Sequence, residues 1–267
     1  HLQPRYRSGY RHADREHESV EGTEAHLGEM VTRVAARGGK VIIPSFAVGR
    51  TQELVYALHR LWREGKIPRI PVFVDSPLAI DVTQVFRLHP ELFDRREPLA
   101  ERTARLFDFE LVSYVREAKD SIALNSLAGA AVIIAASGMA ESGRVTHHLV
   151  NQAGDHRNLI LFVGFQAEHT LGRRVQDGQK EVRILGNDVT VRAEVVSLGG
   201  YSAHADKHEL RKWVRLLGGQ VKRAFVVHGE SPARAAMDEI LKSEGVGEVV
   251  LPELGQSFER QNARWGE

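Results

Sequence analysis

The stretch "KVIIPSFAVGRTQEL", residues 40–54, decides the fold. After the lysine, residues 41–44 are apolar without a polar position between them. A strand with one wet face would alternate, so this one is covered on both faces, as strands of a parallel sheet are. Small and polar residues follow, and then an amphipathic helical pattern runs to about residue 66. Strand, loop and helix in that order form the repeating unit of a layered α/β fold.

The same unit recurs on both sides. Upstream, apolar residues at helical spacing over residues 23–37 end at Gly38-Gly39, a C-cap signal. Downstream come "PVFVDSP" (71–77) with the helix "LAIDVTQVFRLH" (78–89), then "FELVSYV" (109–115) with a helix over 117–127. "AAVIIAA" (130–136) leads into "SGMAESGRVTHHLVNQ" (137–152), and "NLILFVG" (158–164) is a further buried strand. Strands alternating with helices predict an α/β protein with a parallel sheet.

Near residue 181 the texture changes. "EVRILGNDVTVRAEVVSLGG" (181–200) alternates apolar and polar residues around Gly186-Asn187-Asp188, which predicts a hairpin turning there. A helix over 206–217, the strand "RAFVVHG" (223–229), a helix over 232–244 and the short strand "EVVLP" (248–252) complete the pattern. The expected division is a mostly parallel part over 20–178 and a smaller mixed part over 179–267. Residues 1–19 read as a cut or disturbed edge, with no initiator methionine and no signal-peptide core.

Composition narrows the chemistry. The 267 residues are 42% hydrophobic and 27% charged, which suits a globular chain with a real core. No apolar run approaches the roughly 20 residues that span a bilayer, so no membrane role is expected. Thirty-six basic residues stand against 35 acidic ones, so any polyanion would be held by local clustering, not by net charge. With no cysteine, disulfides, thiolate catalysis and Cys-bound zinc are excluded. A reducing, cytoplasmic setting is the expectation, and any metal must be held by His, Asp or Glu.

Three loops share one design, in which a buried strand, small residues and a helix start follow one another: "PSFAVGRTQE" (44–53), "ASGMAESGR" (136–144) and "GFQAEHTLGRR" (164–174). Backbone N–H groups and the helix dipole make such places anion sites. Each loop ends in arginine (Arg50, Arg144, Arg173), whose fork fits phosphate oxygens. Ser45, Arg50, Ser137, Gly138, Arg144 and Arg173 are therefore candidate phosphate contacts. The competing reading is plain helix capping by Ser45, Ser137 and Thr170. Gly138 and Gly143 have the spacing of a Walker A loop, but Arg144 stands where lysine is required, and no GxGxxG is present. Nucleotide-cofactor chemistry is disfavoured.

Two histidines remain. "SAHAD" carries His204 with Asp206 beside it, and "VVHGE" carries His228 with Glu230 beside it. Both are expected at the tips of neighbouring strands, where a neutral imidazole can ligate a metal or exchange a proton near pH 7. A solvated or capped histidine is the alternative at either place. "HADREH" (12–17) has a metal-like look in an unpatterned setting.

Taken in order, "IIPSFAVGRTQEL", "VDSPLA", "ASGMAESGR", "LFVGFQAEHTLGR", "GGYSAHAD" and "VVHGE" resemble the β-CASP nucleases of the metallo-β-lactamase superfamily over residues 20–245. These are RNase J-like and polyadenylation-factor-like enzymes. The resemblance implies a β-CASP domain over 20–178, inserted in a metallo-β-lactamase αββα fold whose C-terminal part returns over 179–267 with an RNA-specificity region. It implies metal-dependent RNA hydrolysis with two zinc ions, single-stranded RNA as partner, and possible homodimerisation. His204 then matches the proton donor, His228 a ligand of one zinc, and Asp206 and Glu230 supporting residues. The HxHxDH run of the superfamily is absent, and at the acidic motif only Asp14-Arg15 fit. A chain that lacks most of the ligands is therefore expected, either an inactive fragment or a clamp that grips RNA without cutting.

Overall fold

The computed structural model describes residues 18–92, 106–202, 204–217 and 221–258. These form two compact units divided between Ser202 and Ala203. The larger unit runs past residue 178 to Ser202, further than the change in sequence texture suggested.

In the larger unit, α1 (Val20–Ala36) starts at the N-cap Ser19, whose hydroxyl accepts from Gly22 N at 3.1 Å, and ends on Gly38 at φ +69°. Next come β1 (Lys40–Pro44), α2 (Arg50–Arg63), β2 (Val72–Asp75) and α3 (Pro77–Leu88). A 3-10 turn (Pro90–Leu92) precedes β3 (Val112–Tyr114), α4 (Ala118–Asn125) and β4 (Ala131–Ala135). They are followed by α5 (Arg144–Gln152), β5 (Leu159–Phe162) and α6 (Leu171–Gln176). The strands β6 (Glu181–Ile184), β7 (Asn187–Thr190) and β8 (Glu194–Ser197) close the unit.

Six of these strands make one sheet in the order β3-β2-β4-β1-β5-β8, with every neighbour parallel. The apolar run at residues 41–44 behaves as expected. Val41 and Ile43 pack on one face with Leu27, Val31, Leu54 and Leu58, while Ile42 packs on the other with Val145, Leu149 and Leu171. All three β1 residues have no exposed surface. Each fully buried side chain of this size contributes roughly 1.5–3 kcal/mol, so the strand anchors both layers at once.

Two expectations need correction. The hairpin pairs Ile184 with Asn187, so its turn is Leu185-Gly186, both at positive φ (50° and 83°). That two-residue geometry matches the twist of the flanking strands, and it moves the turn one residue ahead of Gly186-Asn187-Asp188. Beyond it the chain does not continue as one alternating strand. β8 leaves the hairpin and adds to the main sheet beside β5, pairing Leu159 with Glu194 through Phe162 with Ser197.

The smaller unit contains α7 (Lys207–Leu216), β9 (Arg223–Phe225), α8 (Ser231–Ser243) and β10 (Glu248–Val250). Its β9 and β10 pair in parallel, and Leu210, Val214, Val226, Met237, Ile240 and Leu241 form its core. Thus β8 and β9 lie in different sheets, and His204 and His228 are not carried on neighbouring strands. β8 stops at Ser197, and β9 stops at Phe225, because Val227 is already exposed and Gly229 turns the chain at φ +104°.

Candidate nucleic-acid interface

Strand order brings the three loops together. β4, β1 and β5 are adjacent and parallel, so residues 45–49, 136–143 and 163–170 leave the same edge of the sheet, where ligands of open α/β sheets collect. They also interlock. Phe46 packs so closely on buried Gly138 that a Cβ there would lie 2.9 Å from its ring. The buried Gln166 side chain donates to Gly138 O at 3.0 Å and Gly164 O at 3.1 Å. Gly172 N donates to Met139 O at 3.0 Å, and Leu171 N donates to the Glu141 carboxylate. The three loops form one platform.

Within it, the predicted phosphate contacts divide. Ser45 is buried at 1% exposure and accepts from Thr51 Oγ1 at 3.1 Å, so its hydroxyl serves the loop itself. Arg50 pairs with Glu53, one turn along α2, and lies over the Tyr201 ring at 5.6 Å. Burial, chiefly, pushes the Tyr201 phenol above its ordinary range. Arg173 binds both Asp177 oxygens at 2.9 Å. Ser137 is half-buried in the second loop, and its hydroxyl oxygen is itself buried and has no hydrogen-bond partner among the described residues. Gly138, packed under Phe46, shapes that loop.

Arg144 points inward. Its Nη1 donates to Asp75 Oδ1 at 2.7 Å and to Val115 O at 2.9 Å, and its Nη2 donates to Arg116 O at 2.6 Å. Asp75, with no exposed surface, also accepts from Ser121 Oγ at 2.6 Å and faces His148 Nε2 at 2.6 Å. His148 is likewise fully buried, and its Nδ1 meets Asn125 Oδ1 at 2.8 Å. Burial raises the Asp75 carboxyl, but hydrogen bonds from His148, Ser121 and Arg144 outweigh it and hold the group below its ordinary range. Asp75, Ser121, Asn125 and His148 are not among the residues that the sequence singles out. One signal was available: Val145, His148, Leu149 and Gln152 share one helical stripe, and all four are buried.

In the smaller unit, Asp206 is the N-cap of α7, accepting from His208 N and Glu209 N at 2.9 Å each, with Glu209 reaching back to Asp206 N. It completes a capping box two residues after His204, which is half-buried. Glu230 occupies the N-cap position of α8 without a side-chain cap bond. His228 is exposed. Among the described residues no three His, Cys, Asp or Glu side chains converge to hold a metal. The cluster at His12, Asp14 and His17 lies outside the described residues.

The loops thus meet at one edge of a parallel sheet, and the separate unit that follows carries His204 and His228 outside its helices and strands. The chain belongs to the β-CASP family of the metallo-β-lactamase superfamily. It matches the Beta-Casp domain over residues 51–175 and the Zn-dependent metallo-hydrolase RNA specificity domain over residues 188–252. Among curated proteins it is 36% identical over 252 residues to Ribonuclease TTHA0252 of Thermus thermophilus, covering 92% of this chain and 56% of that one. It is 34% identical over 224 residues to Transcription termination factor FttA of Methanosarcina mazei (80% of this chain, 35% of that one). The Thermococcus kodakarensis FttA is 36% identical over 221 residues, 79% of this chain and 33% of its own. The chain thus spans between a third and just over half of the relatives it matches. No helix among the described residues is long and apolar enough to cross a membrane.

Proposed function

We propose that this chain grips single-stranded RNA for a zinc-dependent ribonuclease of the β-CASP type. The interlocked loops at the β4-β1-β5 edge carry this reading. The Ser137 hydroxyl, buried and without a hydrogen-bond partner among the described residues, is a donor that a small opening of the second loop would offer to a phosphate oxygen. Arg173, one-quarter exposed, and the more deeply seated Arg50 both have exposed carboxylate partners, which a phosphate can replace. In the smaller unit, His204 is the proton donor to the departing ribose oxygen, on a loop stiffened by the Asp206 cap, and His228 is a metal contact with Glu230 supporting it. The described residues do not by themselves make a zinc centre, since His228 is a single exposed imidazole. What they supply to the reaction is grip and a proton. A reading as a clamp that holds RNA without cutting it rests on the same platform. Homodimerisation is a further expectation, which sedimentation velocity would read directly.

Fluorescence anisotropy with a 5′-labelled single-stranded RNA tests the grip. Binding is expected at low salt, with log K falling against log salt at about 0.7 per phosphate contact. Zinc content and cleavage are measured on the same sample. Absence of RNA binding at low salt would remove the gripping role. Two zinc ions per chain, with turnover abolished by His228→Ala, would replace the clamp by a complete nuclease.

A further inference from the structure

The buried cluster under the second loop has more order than a phosphate-binding arginine would need. β2 pairs with β4 so that Asp75 stands in register with Ala135, the last residue before the loop. The Asp75 carboxylate then grips Arg144, the first residue after the loop, at 2.7 Å. One residue therefore ties both ends of the 136–143 segment, its backbone in register with Ala135 and its carboxylate bonded to Arg144. The neck is closed as well: Val145 N donates to Ala136 O at 3.2 Å, and Ser137 N donates to Ser142 O at 3.1 Å. The remaining Asp75 oxygen is held by Ser121 of α4 and His148 of α5. A buried ion pair is weak evidence for stability, because apolar residues of similar size would serve as well. It is directional, however, which apolar packing is not, and direction is what a loop must have to keep one shape toward a ligand.

We infer that Asp75 and His148 are positioning residues that latch the 136–144 loop through Arg144, and that the Arg144 guanidinium itself makes no phosphate contact. The functional half of this inference rests on the RNA-gripping reading, while the structural half stands apart from it.

Hydrogen exchange and RNA titration on the full chain separate the two. In Asp75→Asn, amides of residues 136–144 are expected to exchange at least about tenfold faster while those of β1 and β5 keep their protection. RNA affinity is expected to weaken about five- to tenfold with an unchanged salt slope, because no phosphate contact is lost. His148→Gln keeps a donor toward Asp75 and stays within about twofold of the parent, whereas His148→Ala behaves like Asp75→Asn. Arg144→Gln also leaves the salt slope unchanged; a slope smaller by about 0.7 would make Arg144 a phosphate ligand and overturn the inference. Unchanged loop exchange in Asp75→Asn overturns it whatever the RNA result. If the parent chain binds no RNA, the gripping role falls, and exchange alone decides the latch. Should Asp75→Asn loosen β1 and β5 as well, Ser121→Ala, which removes one donor and leaves the ion pair, carries the same exchange test.

Discussion

Asp75→Ala is expected to lower the stability of the larger unit by about 3–5 kcal/mol, the range found when one partner of a buried ion pair is removed. The substitution leaves Arg144, one-fifth exposed, and His148, with no exposed surface, facing an empty place where their acceptor stood. His148 cannot reach water without moving α5, whose Val145 and Leu149 are buried in the core. Urea unfolding at neutral pH measures the effect as a lower midpoint with an unchanged slope. A loss below about 1 kcal/mol would mean that the cluster re-solvates easily and holds nothing in place. The sign of the pH dependence follows from the direction of the Asp75 shift. Because its folded value lies below the ordinary 3.8, its contribution is complete above that value and is lost as pH falls through the depressed one. The parent and Asp75→Ala should therefore converge in stability only in strong acid.

Gly39→Ala is expected to be nearly as damaging, at about 1–3 kcal/mol or more, through overpacking. Gly39 separates α1 from β1, and a Cβ added there would lie 1.8 Å from Arg157 O and 2.5 Å from Arg157 C, both backbone atoms. That carbonyl cannot retreat cheaply, since Arg37 Nε donates to it at 2.7 Å and Asn158, the next residue, holds Lys40 N at 2.7 Å. The methyl group must push the entry of β5 away from the entry of β1. The neighbouring Gly38, at φ +69° with open space around it, should respond differently, by backbone strain alone and without a clash. A thermal melt comparing the two variants checks this, and an unperturbed Gly39→Ala would show that the β1–β5 junction gives way freely.

Much of this architecture was legible in the chain. Uniformly apolar runs such as 41–44, 131–135 and 159–162 announced strands buried on both faces, and the sheet is parallel throughout. The helix expected from residue 206 begins at Lys207 with Asp206 as its cap. What escaped depended on contacts distant in sequence. No local pattern tells that residues 75, 121, 125, 144 and 148 converge, or that β8 crosses to β5. The hairpin turn was misplaced because it puts Leu185 in the left-handed region, which a leucine rarely occupies. The arginines are a different case. Arg50 with Glu53 and Arg173 with Asp177 are pairs at three and four residues' spacing on helices, so their ion pairing could have been read from the sequence. The smaller unit was the least legible, because short strands such as β9 and β10 leave little periodicity to read.

The place of β8 has a consequence for solubility. β5 is an interior strand only because β8 lies beside it. A chain ending at residue 178 would bare the β5 backbone over Leu159–Phe162, a row of free donors and acceptors flanked by side chains with almost no exposed surface. Such a row is a template for another molecule's strand. β8 itself makes a poorer template, because it carries a charged residue, Glu194, clasped by Arg33 at 2.6 Å and Arg37 at 2.9 Å. A chain stopped at 178 should therefore self-associate, and one stopped at 202 should remain dispersed, as light scattering would record. This short strand with its clasped glutamate works as a guard against aggregation.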